Sequence, residues 1–76
     1  MVDNSNKNEI GASIPGTIYK IMVKNTDAVK KGQSLIVIEA MKMETNVVSP
    51  RDGTVALVEV TEQQQVKTGQ LLLKLE

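Results

Sequence analysis

Short runs of apolar residues, separated by polar turns, set the pattern of this chain. Val, Ile and Leu fill these runs, as in residues 16–23, 35–38 and 71–75. β-Branched side chains favour strands, and no window keeps the 3.6-residue period of an amphipathic helix. Gly, Pro, Asn and Asp interrupt the runs at short intervals, which is typical of a small all-β sandwich or barrel.

The apolar pattern occurs twice along the chain. A shift of 37 positions brings the two Val-Lys-x-Gly-Gln segments, which begin at Val29 and Val66, into the same register. Residues 10–39 and 47–76 are therefore interpreted as two equivalent units. Neither unit can bury its apolar face alone, so we expect the two to pack as a pseudo-twofold sandwich of small sheets.

Each unit carries the same local signals. In its first long strand the alternation of apolar and polar positions slips by one, after Ile18 in one unit and after Val55 in the other. Such a slip predicts a β-bulge. Gly32 and Gly69 predict turns at positive φ. The last strand of each unit is almost continuously apolar, as expected for a strand covered on both faces.

The seven residues 40–46, between the two units, have no counterpart in the repeat. The preceding strand continues into this insert, whereas its copy ends at Glu76, so the pseudo-twofold places the insert and Glu76 at opposite ends. Met41, Lys42 and Met43 form the predicted tip of a hairpin. Positive φ at Met41 and Lys42 would make this turn strained, as functional turns often are. Exposed lysines and gap-filling methionines are also ordinary features, so these residues alone leave a plain packing role open.

Composition narrows the possible chemistry. Nine Lys and Arg balance nine Asp and Glu, which argues against a nucleic-acid partner. The absence of His and Cys excludes His general bases, thiol nucleophiles and disulfides, and favours a reducing compartment. No apolar run approaches the roughly 20 residues that span a membrane. A chain of 76 residues hardly forms a deep cleft, so we predict a binding or carrier domain without catalysis of its own.

Residues 39–45, Glu-Ala-Met-Lys-Met-Glu-Thr, resemble the biotin attachment motif of the biotinyl domains of biotin-dependent carboxylases. The resemblance covers residues 10–76. It implies an all-β flattened barrel of two four-stranded antiparallel sheets with internal pseudo-twofold symmetry and no thumb segment. It also implies biotin in amide linkage to Lys42, attached by a biotin protein ligase. The further tip and ligase-recognition residues that it implies are Ala40, Met41 and Met43.

The function implied by this resemblance is that of a carrier. Biotin on Lys42 would take a carboxyl group from a biotin carboxylase site to a carboxyltransferase site of a parent carboxylase, a ligase. The whole domain, residues 10–76, would swing on residues 1–9, a flexible tail or linker remnant. We expect the isolated domain to be a monomer, and its compartment to be the cytoplasm, or the mitochondrial matrix of a eukaryote.

The first residues of the repeat, 8–17, are similar to the start of the C-terminal biotinyl domain of pyruvate carboxylases, which makes that enzyme the favoured parent. Other biotin enzymes, such as oxaloacetate or acyl-CoA decarboxylases and carboxylases, are the alternative. Lipoyl carriers share the fold but usually present Asp-Lys-Ala, where this chain has Met41 and Met43 around Lys42. An interaction module with an unmodified lysine is the remaining reading.

Overall fold

The computed structural model describes residues 8–76. None of these residues belongs to a helix, so this part of the chain has no helix that could span a membrane. The strands are β1 (Glu9–Gly11), β2 (Gly16–Ile21), β3 (Ala28–Val29), β4 (Ser34–Ala40), β5 (Met43–Val48), β6 (Gly53–Val58), β7 (Gln65–Val66) and β8 (Leu71–Leu75). Most of the predicted tail, residues 1–7, lies outside the described residues, and the boundary between tail and domain stays a prediction.

The strands form two four-stranded antiparallel sheets, which confirms the predicted fold class. One sheet has the order β1-β8-β6-β3 and the other the order β5-β4-β2-β7. In each sheet one repeat unit supplies the two central strands, and the other unit supplies both edge strands. Each unit therefore needs the other to complete a sheet.

Hydrogen bonds between the units repeat the pseudo-twofold. The Thr26 N–H donates to the Val55 carbonyl at 2.8 Å, and the equivalent Gln63 N–H donates to the Ile18 carbonyl at 2.7 Å. The φ angles of Thr26 and Gln63 are 75° and 74°. Neither residue type marks positive φ in a sequence, and neither turn was predicted to be left-handed.

The predicted bulges and glycine turns are present. The pairing register shifts between Ile18 and Lys20 in β2, and between Val55 and Leu57 in β6. Each shift inserts one unpaired residue and increases the local twist of the strand. Gly32 and Gly69 have φ values of 84° and 85°, a conformation that side chains disfavour.

The core between the sheets is aliphatic. Four consecutive residues of β4, from Leu35 to Ile38, are buried, which confirms that this strand is covered on both faces. The largest fully buried hydrophobic side chains are Ile18, Leu35, Ile36, Ile38, Leu72, Leu73 and Val55. At most core positions of the repeat the two units supply aliphatic side chains, such as Ile18 and Val55 or Leu35 and Leu72, so this part of the core is nearly symmetric about the pseudo-twofold.

Candidate functional site

A two-residue hairpin joins β4 to β5. The last paired residues are Ala40 and Met43, which leaves Met41 and Lys42 as the loop. Their φ angles are 51° and 66°, so both are left-handed, as a type I′ turn requires. This turn follows the right-handed twist of the two strands. It usually contains Asn-Gly because other residues are strained at positive φ. The hairpin tip expected from the sequence is therefore present, and both of its residues meet the condition of positive φ under which the turn is strained.

The side chains of the tip point into solvent. Met41 is 95% exposed and Met43 is 70% exposed, and Lys42 lies between them, also exposed. Ala40 is half-buried at the base of the hairpin. Two large apolar side chains in water contribute nothing to the hydrophobic stabilisation of this domain. Among residues 8–76, Met41 and Met43 therefore do little packing.

The base of the hairpin is held against β2 by a close approach of two backbones. A Cβ atom at Gly16 would lie 2.6 Å from the Glu39 carbonyl oxygen and 3.2 Å from the Ala40 Cβ. Only glycine leaves room for this contact. The hairpin therefore projects from a rigid support. The repeat shows the position of Gly16 in the sequence, but it does not predict this contact with Glu39.

Two carboxylates lie beside the tip. Glu39 and Glu44 are directly opposite each other in the register of β4 and β5, and both are exposed. Like charges in such a pair repel and weaken the pairing. The two carboxylates give the tip a negative field around Lys42. Residues 8–76 contain no group of three or more His, Cys, Asp or Glu side chains that could hold a metal ion.

The chemistry available at the tip is that of a primary amine. The Nζ atom of Lys42 can form an amide bond with a carboxyl group, and its exposure on a narrow turn lets it enter the active site of another protein. A covalently attached group needs no binding cavity on the carrier itself. The residues present therefore fit a prosthetic group attached through an amide bond.

The tip and the chain ends lie at opposite poles. The Leu75 N–H donates to the Asn8 carbonyl at 2.7 Å, so the start of the described chain lies beside the end of β8. The last residue, Glu76, is the pseudo-twofold equivalent of Glu39 at the base of the hairpin. The pseudo-twofold thus places Lys42 at one pole of the domain, and Asn8 and Glu76 at the other.

Comparisons with known proteins agree with this geometry. A family model described as "Biotin-requiring enzyme" matches residues 8–75. The pyruvate carboxylase of Bacillus subtilis is 43% identical over 74 residues, which are 97% of this chain and 6% of that enzyme. A biotin carboxyl carrier protein of Streptococcus mutans is 41% identical over 66 residues, which are 87% of this chain and 51% of that protein. This chain therefore spans only a small part of the carboxylase that it matches.

A solved structure extends the likeness to a second class of carrier. The lipoyl domain of the 2-oxoglutarate dehydrogenase complex of Azotobacter vinelandii superimposes with a TM-score of 0.73 and 28% identity. The match covers 88% of this chain and 95% of that domain. A structure of this size and shape thus exists as a domain in its own right.

Proposed function

The chain belongs to the family of biotin-requiring enzymes, and from this premise we propose that it is a biotin carrier domain with biotin joined to Lys42. The observation that carries the assignment is the position of Lys42 in an exposed type I′ turn. This turn lies at the pole opposite the chain ends. A group attached there can enter two enzyme sites in turn while the other pole stays tethered.

Attachment removes the charge of the lysine. The Lys42 ammonium group would first lose one proton, and the neutral Nζ atom would then bond to the carboxyl carbon of biotin, which a biotin protein ligase activates with ATP as the adenylate. The bond to AMP would break, AMP would leave, and the nitrogen would lose a second proton as the amide forms. The neutral amide replaces the ammonium group, so the formal net charge falls from 0 to −1. The glutamates beside the tip then leave it wholly negative.

The neighbours of Lys42 serve recognition by the ligase. Met41 and Met43 offer exposed, flexible apolar surface on both sides of the lysine, and Met side chains adapt readily to a partner surface. Ala40, half-buried at the base, leaves space beside the turn. A ligase that grips the two thioethers would place the amine between them in its active site.

Transfer requires the domain itself to move. When bound, biotin carries a carboxyl group from a biotin carboxylase site to a carboxyltransferase site. The lysine side chain and the biotin tail together span roughly 12–14 Å, which is short beside the distance between two enzyme domains. The hairpin therefore moves with the whole domain, and a tether before Asn8 would raise the local concentration of the carried group at each site.

A pyruvate carboxylase is the parent that we propose, because the relative from Bacillus subtilis matches across nearly the whole chain. Its compartment would be the cytoplasm, or the mitochondrial matrix in a eukaryote. The isolated domain would be a monomer. Transfer of labelled carboxyl groups from the biotinylated chain to pyruvate, rather than to an acyl-CoA, by the matching carboxyltransferases would identify this parent over another biotin enzyme.

The test of the site is the intact mass of the chain after incubation with biotin, ATP and a biotin protein ligase. We expect a single biotin on the unchanged chain and none on Lys42→Arg, whose melting temperature should be unchanged because the tip buries little. Labelling of Lys42→Arg would place the site on another lysine. A folded chain that takes no biotin would instead be an interaction module with an unmodified lysine.

A lipoyl carrier is the second candidate, favoured by the superposition on the lipoyl domain from Azotobacter vinelandii. The same mass measurement, with lipoate and a lipoate protein ligase, separates the two. We expect no lipoyl addition, because the two methionines at the tip differ from the Asp-Lys-Ala of lipoyl carriers. Addition of lipoate alone would reverse the assignment.

A further inference from the structure

At the pole opposite Lys42, the Arg51 side chain contacts both Asn8 and Glu76. The Arg51 Nη2 atom donates to the Asn8 Oδ1 atom at 2.6 Å and to the main-chain oxygen of Glu76. Its Nη1 atom donates to the main-chain oxygen of Asp52 at 2.8 Å. The buried Ser49 hydroxyl donates to the Arg51 carbonyl at 2.6 Å, which fixes the backbone from which the guanidinium extends.

The pseudo-twofold shows what this cluster replaces. The equivalents of Asn8 and Glu76 in the other half are Thr45 and Glu39, which the hairpin joins covalently through five residues. At the opposite pole no chain runs from Glu76 to Asn8. There the guanidinium of Arg51 connects the two positions by hydrogen bonds.

Two further comparisons across the repeat support this reading. The equivalent of Arg51 is Ile14, an apolar residue packed against the core, so the arginine departs from the repeat at the pole that lacks a hairpin. The equivalent glycines are adapted to different neighbours. A Cβ atom at Gly16 would strike the Glu39 carbonyl at the base of the hairpin, whereas one at Gly53 would strike the Nη1 atom of Arg51. Each glycine thus makes room for the closure of its own pole.

We propose that Arg51 is a positioning residue that closes the open pole and fixes Asn8 as the point where the tether leaves the domain. Without the guanidinium, β1 would separate from β8, since β1 is a three-residue edge strand. Residues 8–11 would then join the tether and lengthen it by about 13 Å. The connection of Asn8 to Glu76 through Arg51 follows from the hydrogen bonds alone. Only its role in fixing where the tether leaves the domain rests on the proposed carrier function.

Amide hydrogen exchange tests this closure at single residues. The Leu75 N–H, which donates to the Asn8 carbonyl, reports on the pole that Arg51 closes. Its equivalent Ile38, paired with Thr45, reports on the pole that the hairpin closes. We expect Arg51→Ala to speed exchange at Leu75 at least tenfold and at Ile38 less than twofold. Arg51→Lys keeps the charge but cannot form the same fork of hydrogen bonds, so we expect an intermediate rate at Leu75.

The control is Lys67→Ala, which removes an exposed cation from a turn and should change neither rate. Equal acceleration at Leu75 and Ile38 would show that Arg51 only adds general stability, and no acceleration would show that β1 is held without it. If Arg51→Ala unfolds, the exchange rates of Arg51→Lys are compared instead: faster exchange at Leu75 but not at Ile38 supports the proposal, and equal changes at both contradict it. The measurement uses the unmodified chain, so its result is independent of whether Lys42 is biotinylated.

Discussion

At the scale of single residues, the conformation that exposes Lys42 at the tip lowers the stability of the domain. Met41 and Lys42 are two of the four non-glycine residues with positive φ in the described chain, with Thr26 and Gln63. Non-glycine residues in this region cost of the order of 1–3 kcal/mol each. A sequence selected for folding alone would have Asn-Gly in this turn. Under the proposed function, the strained turn is kept because it presents the amine to the ligase between two apolar side chains.

This cost makes a prediction for the turn. Met41→Asn combined with Lys42→Gly should raise the free energy of unfolding by about 1–2 kcal/mol, because the new pair suits a type I′ turn. The same change should abolish biotinylation. Urea denaturation and intact mass measure the two effects. The matched control is Thr26→Gly, at φ 75° in a turn away from the tip. It should be at least as stable as the unchanged chain and should still take biotin. A lower urea midpoint for the tip variant than for the unchanged chain would show that the turn is not strained.

Sequence patterns predicted the local conformations of single residues only where the residue type signals them. Gly32 and Gly69 were predicted at positive φ because glycine is the usual residue there. Thr26 and Gln63 were not, because their conformation is imposed by hydrogen bonds to the other unit. The role of Arg51 depends on neighbours 43 and 25 positions away in the chain, which no local pattern reports.

At the scale of strands, the repeat predicted the long strands β2, β4, β6 and β8, but neither β1 and β5 nor the exchange of strands between the two units. Apolar alternation located the bulged strands β2 and β6, and continuous apolar runs located β4 and β8. The two-residue strands β3 and β7 add to the sheet of the other unit, and strands this short carry too little pattern to reveal their partners. Pairing between distant segments is decided by the packing of the whole core, so the strand order required the structure.

The contact between β2 and β4 yields a prediction at this scale. Gly16→Ala should lower the free energy of unfolding by about 1–3 kcal/mol, because the new methyl group overlaps the Glu39 carbonyl and pushes the strands apart. It should also slow biotinylation, since the hairpin base moves with β4. Thermal denaturation and the initial rate of labelling measure the two effects.

Gly32→Ala is the matched control for that variant. A Cβ atom at Gly32 would meet no atom within 4 Å, but φ is +84°, so the substitution costs about 1 kcal/mol through backbone strain alone. Its labelling rate should stay at that of the unchanged chain. If both variants lose labelling in proportion to their stability, the support of the hairpin by β2 has no specific role.

At the scale of the whole molecule, the fold separates the reactive pole from the tethered pole. The pseudo-twofold puts a hairpin at one pole and Asn8 and Glu76 at the other, where Arg51 donates hydrogen bonds to both. A tether at this pole lets the length of the domain add to the reach of the lysine side chain. The sequence predicted this polarity from the position of the insert in the repeat, because symmetry alone fixes it.

This polarity predicts that the carrier tolerates a tether at either chain end. Because Asn8 lies beside the end of β8, a linker fused after Glu76 leaves the domain at nearly the same point as one fused before Asn8. Linkers of equal length and composition should then give the same effective concentration of Lys42 at a tethered partner, within about twofold.

The measurement is the rate at which a biotin protein ligase, fused through each linker in turn, labels its own carrier at high dilution. Insertion of the same linker and ligase into the turn at 61–64, whose Gln63 N–H donates to the Ile18 carbonyl in the sheet that carries the hairpin, is the contrasting arrangement and should change that rate. A difference of tenfold between the two end fusions would mean that the direction of the tether, and not only its point of departure, controls delivery.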